Sequence, residues 1–305
     1  MLCFFDKARI ACIAYSNAVL DDGISAALRP HFCEWNAVSS LNDATLAQKI
    51  HDDRIDILVD LAGHTGRSRI SVFAWRPAPV QVSWLGYWAS TGLAEMDYLL
   101  ADHTSVHAEE ATHFTERIWY LPDTRLCFAL PPADLQNMPF DTVPAAANGH
   151  ITFGCFQNVI KLTDLTLATW AQVLARLPNA RLRLQSQAFS YADAVTHTRA
   201  RLAAAGIDLE RTSLLPDTKW GEYIAAYRAV DIVLDTMPFP GGTTTAEALW
   251  MGVPTVTLAG HTLVQRQGAS MLHCVGLDDW AAQTTDDYVR IAIQKAADLA
   301  GLVCL

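Results

Sequence analysis

The sequence has no Cys-x-x-Cys pair, no Gly-x-x-x-x-Gly-Lys-Ser/Thr loop, no clustered stripe of Lys and Arg, and no apolar run near the roughly 20 residues needed to span a bilayer. Each absence removes a class. Without the phosphate loop, an ATPase of the P-loop kind is disfavoured. Basic residues are outnumbered, 22 Lys and Arg against 32 Asp and Glu for a net charge of −10, so a nucleic-acid surface is not expected. The cysteines are odd in number, seven, and far apart (Cys3, Cys12, Cys33, Cys127, Cys155, Cys274 and Cys304). They read as reduced, partly buried thiols of a cytoplasmic protein, neither a disulfide framework nor a zinc site. His103, His107 and His113 lack metal-ligand spacing with Cys or acidic residues, and no metal is expected. The opening MLCFFDKARIACIAYS lacks a basic segment followed by a long apolar core, so neither a secretory signal nor a membrane partner is expected.

What is present is a well-buried globular composition, 51% hydrophobic and 18% charged over 305 residues, enough for two cores. Short β-rich runs alternate with helical stretches. In the first part the runs are Arg9–Tyr15, Arg54–Leu61, Val80–Leu85, Met96–Ala101 and Arg117–Leu121, with Leu41–His51 helix-like. Residues 131–149 then turn rich in proline and small side chains, as an interdomain linker does. The rhythm resumes with strands expected at Ile151–Phe156, Arg181–Leu184, Thr212–Leu215, Val230–Leu234 and Thr255–Leu258, separated by helices. Near-continuous apolar strands between helices imply parallel sheets covered on both faces. The expected fold is α/β: a domain over 1–130, the linker, and a domain over 150–305, each doubly wound and Rossmann-like, facing a cleft. A single large α/β domain is the lesser alternative.

The most informative segment is LDTMPFPGGTTTAEALWMGVP, residues 234–254. After a buried strand, Gly241 and Gly242 permit tight backbone geometry. Thr243, Thr244 and Thr245 then open a helix through Trp250. Free N–H groups, hydroxyls and the positive end of the helix dipole make an anion site. Glu247, one turn in, is placed to accept from ribose hydroxyls. The plain alternative is that the threonines only cap the helix.

In GCFQNVIKLTD, Lys161 stands just past a strand at the carboxyl edge of the second sheet, where open α/β sheets bind ligands. An ammonium there would offset charge on a departing diphosphate, and Asn158 in the same turn would bond a phosphate or sugar oxygen. Following the next edge strand, PDTKWGEYIAAYR offers Tyr223 as a ring against a flat base and main chain near Thr218 to read its edge. Tyr223 and Tyr227 are also spaced i, i+4, which fits simple core packing equally well. In the first half, His64 lies in a Gly-His-Thr turn after a strand, and Gly86 and Tyr87 form another turn. His64 is a candidate acid–base group, with a purely structural role as the commoner reading.

Taken together, DILVDLAGHTG, RPAPVQVSWLGY, MDYLLAD, ITFGCFQNVIK, DIVLDTMPFPGGTTTAEALWMGVPTVTLAG and RQGASMLHCVGL occur in the order seen in the O-GlcNAc transferase/SPINDLY-like family. The resemblance covers about residues 8–300. It implies a GT-B fold and inverting, metal-independent transfer of a sugar from a nucleotide sugar to Ser or Thr of proteins. UDP-GlcNAc is the first choice and serves as substrate, so no cofactor is expected. By resemblance, Lys161 contacts the diphosphate, Thr243 and Thr244 bind phosphate, Glu247 binds ribose, and Tyr223 lies against uracil. Asn158 lies near the phosphates by the same likeness, and the 86–91 loop, with Gly86, Tyr87, Ser90 and Thr91, lies beside the transferred sugar.

The sequence departs from the family in four places: no tetratricopeptide repeats, no histidine segment upstream of Phe5, an end at DLAGLVCL, and Trp88 where proline is usual. These imply a chain truncated at both ends. Three alternatives follow: a non-catalytic nucleotide-sugar-binding remnant, a relative using GDP-fucose or UDP-glucose, and, more remotely, a nucleotide-sugar epimerase.

Overall fold

The computed structural model describes residues 5–18, 22–129 and 143–305. It divides into two compact units, Met1–Ala101 with Ala108–Leu121, and Asp102–His107 with Pro122–Leu305. Of the expected linker, residues 131–142 lie outside the described residues, and Pro144–Asn148 forms a short helix closed by Gly149 at φ +70°. Among the described residues no helix is long and apolar enough to cross a membrane, and their six cysteines are free thiols.

The first unit runs β1 (Ile13–Ser16), α1 (Gly23–Leu28), β2 (Glu34–Ala37), α2 (Asp43–Asp52), β3 (Ile57–Asp60), β4 (Val80–Ser83), β5 (Tyr98–Asp102) and β6 (Arg117–Leu121). Asn42 starts α2 by accepting from the Thr45 N–H at 2.9 Å. The single sheet expected from the sequence is two: a parallel β1–β2 pair, and β3-β4-β5-β6 with β3–β4 and β4–β5 parallel. β2 and α1 carry too little apolar periodicity to be read in advance, since EWNA and GISAAL bury no residue fully. The expected double cover also fails at β3. Leu58 and Asp60 are buried, whereas Ile57, Val59 and Leu61 are 58%, 42% and 55% exposed. Leu58 packs instead with Leu46, Ile50, Val72, Phe73 and Met96.

The second unit follows the expected rhythm: α3 (Pro144–Asn148), β7 (Thr152–Cys155), α4 (Asp164–Arg176), β8 (Arg181–Gln185), α5 (Ala192–Ala204), β9 (Thr212–Leu215), α6 (Trp220–Ala225), β10 (Ile232–Leu234), α7 (Thr243–Trp250), β11 (Thr255–Leu258), α8 (Gln267–Cys274), β12 (Ala281–Ala282), α9 (Thr285–Ala297) and α10 (Leu299–Val303). The helix α6 is short and passes into a 3-10 turn at Ala226–Ala229. Strand pairing is parallel throughout, in the order β12-β11-β10-β7-β8-β9. Counted from β7, this is the 3-2-1-4-5-6 order of doubly wound sheets, read from the other edge. Alternate residues serve opposite faces. Phe153, Cys155, Leu182, Leu184, Ile232 and Leu234 pack with Trp170 of α4 and Tyr288 of α9. Phe156 and Val233 pack with Ile224 of α6, Tyr227 and Ala248 of α7 on the other side. Helices therefore cover both faces, and burial on both faces explains why these strands read as continuous apolar runs.

Candidate functional site

In this strand order the direction of winding reverses between β7 and β10, the point at whose carboxyl edge open α/β sheets bind ligands. The β7 loop carries Gln157, Asn158 and Lys161; the β10 loop carries the glycine–threonine run. They meet. Lys161 Nζ donates to Pro240 O at 3.0 Å and to Gln157 Oε1 at 3.1 Å, and lies 4.2 Å from the Phe239 ring centre. Gln157, buried, donates from Nε2 to Thr244 Oγ1 at 2.6 Å. Behind the loop, Asp235 accepts from Gly241 N–H at 2.7 Å, Thr236 N–H at 2.9 Å and Thr257 Oγ1 at 2.8 Å. Burial lowers the Lys161 ammonium from its ordinary value, with the nearby Asp235 carboxylate opposing. Burial also pushes Asp235 up to about 6, against its hydrogen bonds and Lys161.

Gly242 is the N-cap of α7 and makes no side-chain capping bond. The threonines therefore do not cap the helix, which leaves the first-turn N–H groups without side-chain partners. Thr243 is exposed at that end, Thr244 is held by Gln157, and Thr245 is buried, its hydroxyl without a hydrogen-bond partner among the described residues. One turn on, Glu247 is buried and receives the Tyr227 hydroxyl at 3.4 Å. Burial raises its carboxyl, while the Tyr223 and Tyr227 hydroxyls oppose. The site thus couples an ammonium and a helix N-terminus with a buried acid about one turn away, suited to a dianionic group followed by a diol.

Beside it lies a cavity of about 350 Å³ lined by Phe156, Asn158, Gln185, Thr218, Trp220 and Tyr223, among others. Tyr223 takes part in the packing, and whether a base lies on it is a matter for the proposal below. Its ring lines the cavity and also packs edge-on to Phe156 and Tyr227, centroids 5.7 and 5.9 Å apart. Tyr227 stacks on Phe156 at 3.8 Å in the interior. Asn158 accepts from Ile160 N–H at 3.1 Å and so shapes the turn that presents Lys161.

In the first unit the two singled-out turns also meet. His64 Nε2 lies 2.8 Å from Thr91 O, and its ring stands edge-on to Tyr87 at 5.3 Å. A carbonyl oxygen only accepts, so Nε2 carries a proton, and in the neutral ring it is Nδ1 that holds the lone pair. The approach needs Gly63, at φ +53° and against the Tyr87 ring, and Gly86, against Leu61 O. Asp60 accepts from Ala62 N–H at 3.1 Å and Gly63 N–H at 2.7 Å, fixing that turn. Glu116, buried, accepts from Thr91 N–H at 2.6 Å, from Ser90 Oγ at 2.8 Å and from the Thr91 hydroxyl.

Every residue picked from the second half thus falls on one edge of one sheet. Gln157, Asp235, Gln185 and Glu116 were not picked. Gln157 and Asp235 carried a signal, each being a polar residue at the end of an apolar run. Glu116 and Gln185 gave none that sets them apart from ordinary surface residues. Among the described residues no three His, Cys, Asp or Glu side chains gather as a metal site.

The model of glycosyl transferase family 41 matches residues 5–130 and 142–305. The chain belongs to this family. It is 34% identical over 302 residues to the probable UDP-N-acetylglucosamine–peptide N-acetylglucosaminyltransferase SPINDLY of Arabidopsis thaliana, covering 97% of this chain and 33% of that protein. To the probable enzyme of the same name called SEC, also of Arabidopsis thaliana, it is 30% identical over 275 residues, covering 87% and 27%. The chain spans about a third of the length of the curated relatives it matches. Among solved structures, an O-GlcNAc transferase mutant of Thermobaculum terrenum superposes with a TM-score of 0.91 at 36% identity, over 97% of this chain and 56% of that one. The α/β fold of the family is accordingly GT-B, as the sequence led us to expect.

Proposed function

We propose that this family 41 chain transfers N-acetylglucosamine from UDP-GlcNAc to Ser or Thr hydroxyls of proteins with inversion. The observation that carries this reading is the Lys161–Gln157–Thr244 chain, which joins an ammonium to a helix N-terminus at the switch point of the sheet. The substrate comes from the names of the relatives, which are peptide N-acetylglucosaminyltransferases. In this reading the diphosphate rests on Lys161, Thr243, Thr244, and the N–H groups after Gly241 and Gly242. Glu247 accepts from the ribose hydroxyls, and the base lies against Tyr223 with main chain near Thr218 at its edge. The acceptor oxygen attacks the anomeric carbon as its bond to the diphosphate breaks, and Lys161 meets the charge left on the leaving UDP. His64 Nδ1 is our candidate to take the acceptor proton, and Tyr87, Ser90 and Thr91 border the sugar. The reaction in this form needs neither metal nor cofactor, since a cation and a helix dipole supply the positive charge. The unpaired cysteines favour the cytoplasm.

Thermal shift with UDP, UDP-GlcNAc, UDP-glucose, GDP and GDP-fucose, followed by transfer of labelled sugar to Ser/Thr peptides, tests the proposal. A bound ligand stabilises the fold by RT ln(1 + [L]/Kd). UDP and UDP-GlcNAc are expected to raise Tm most, with the rise lost in Lys161→Met and Thr244→Val. A rise of the same size in both variants, or from none of the nucleotides, overturns the site. Binding with no transfer to any peptide overturns the activity alone.

A further inference from the structure

Gln185 ends β8 on the face opposite Leu182 and Leu184, the face that carries Phe156 and Tyr227. It is 2% exposed and lines the cavity beside Tyr223 and Trp220. Its Oε1 accepts from Arg183 Nη2 at 3.1 Å, two residues back on the same side of the strand. A guanidinium only donates, so the amide cannot be turned the other way. Its NH₂ group must face away from Arg183, and among the described residues it has no hydrogen-bond partner. Arg183 is itself half-buried, and burial lowers its guanidinium from the ordinary value. The orientation of the amide is therefore fixed by a charge, and its donor is left for a ligand of the cavity that Gln185 lines. A ligand that fills the cavity completes this one only by presenting an acceptor.

Resting on the nucleotide-sugar reading above, we infer that Gln185 is the specificity residue for the nucleobase and selects bases that present a carbonyl oxygen over those that present an exocyclic amine. A keto oxygen on a pyrimidine or purine accepts from Nε2. An amino group at the same position meets a second donor and leaves both unsatisfied. Tyr223 and Trp220 offer ring faces that any base satisfies, so they contribute affinity and not this choice.

UDP and CDP differ in the exocyclic group at position 4 and the proton on the adjacent ring nitrogen, which makes them the probes. Titration calorimetry on the purified chain is expected to give UDP at least about ten-fold tighter than CDP, as sites built to hydrogen-bond a substrate reject the unmatched analogue. Gln185→Leu is expected to bring the ratio within about two-fold while leaving inorganic pyrophosphate affinity unchanged. Gln185→Glu keeps a partner for Arg183 and guards against misfolding of the leucine variant. It replaces the donor by an acceptor and is expected to shift the ratio toward CDP. Equal binding of UDP and CDP by the unaltered chain, or an unchanged ratio in both variants, overturns the role of Gln185. If diphosphate binding still depends on Lys161 in that case, the nucleotide site stands without it. If no nucleotide binds at all, both readings fall together.

Discussion

Lys161 and Thr244 share one side-chain amide: Gln157 accepts from the lysine at 3.1 Å and donates to the threonine at 2.6 Å. The two groups proposed to grip the diphosphate are thus set by a third that need touch no ligand. Gln157→Leu deletes both bonds in a buried setting and is expected to cost about 1–3 kcal/mol of stability in urea unfolding. UDP affinity should fall with it. Because the residues act as a unit, Gln157→Leu and Lys161→Met together should cost less affinity than the sum of the two, by about 0.5–3 kcal/mol. Strict additivity in that double-mutant cycle would show the amide to be a bystander.

The two adjacent glycines of the loop are predicted to differ sharply. A Cβ on Gly241 would overlap the Gln157 amide nitrogen and the hydroxyls of Thr244 and Thr245, whereas on Gly242 its nearest neighbour is Gln267 Nε2 at 3.6 Å. Gly241→Ala forces the Gln157–Thr244 bond apart and is expected to destabilise by about 1–3 kcal/mol, as overpacking does, and to abolish the thermal shift by UDP. Gly242→Ala should leave stability within about 1 kcal/mol. Equal losses in the pair would mean that the loop relaxes around an added methyl.

How far the sequence carried this reading follows from physical causes. The second sheet was legible because strands such as Ile232–Leu234, buried on both faces, leave an unbroken apolar run between helical stretches. Thr212–Leu215 and Thr255–Leu258 fall where they were expected to the residue. Glu34–Ala37 did not announce itself, being a short edge strand whose register comes from Ile13–Ser16 and not from its own pattern. The same holds for the site. Gly241 and Thr243–Thr245 signal themselves through backbone chemistry, but Glu116 acquires meaning only through Ser90 and Thr91, residues it meets by tertiary folding. The orientation of Gln185 likewise depends on Arg183, and no single-residue signal carries that.

Glu116 is the test of the first unit. It holds the Ser90–Thr91 turn through the Thr91 N–H, the Thr91 hydroxyl and Ser90 Oγ, and Thr91 O in turn bonds His64. Glu116→Ala leaves several donors unpaired and is expected to cost about 2–4 kcal/mol. Glu116→Gln keeps the shape and should cost less. In the glutamine variant, peptide glycosylation is expected to slow while UDP affinity stays within about two-fold of the unaltered chain. A variant that loses UDP binding but glycosylates at the original rate would contradict the division of labour.

Asp235 makes a pH prediction with a definite sign. Burial raises its carboxyl to about 6 in the folded chain, against about 3.9 when unfolded. Between those values the folded state holds the proton more tightly than the unfolded state does. Its contribution to stability is therefore complete below about pH 4 and is lost as pH rises through 6, with a ceiling of about 3 kcal/mol. Asp235→Asn cannot titrate. Exposed carboxylates with lowered values, such as Asp208 and Asp287, behave alike in both proteins and cancel in the difference. Urea unfolding at pH 7 and pH 5 should accordingly show the unaltered chain gaining on Asp235→Asn as the pH falls. A difference that stays flat, or that moves the other way, would mean that the hydrogen bonds from Gly241, Thr236 and Thr257 outweigh burial and keep Asp235 an ordinary low-pH carboxylate.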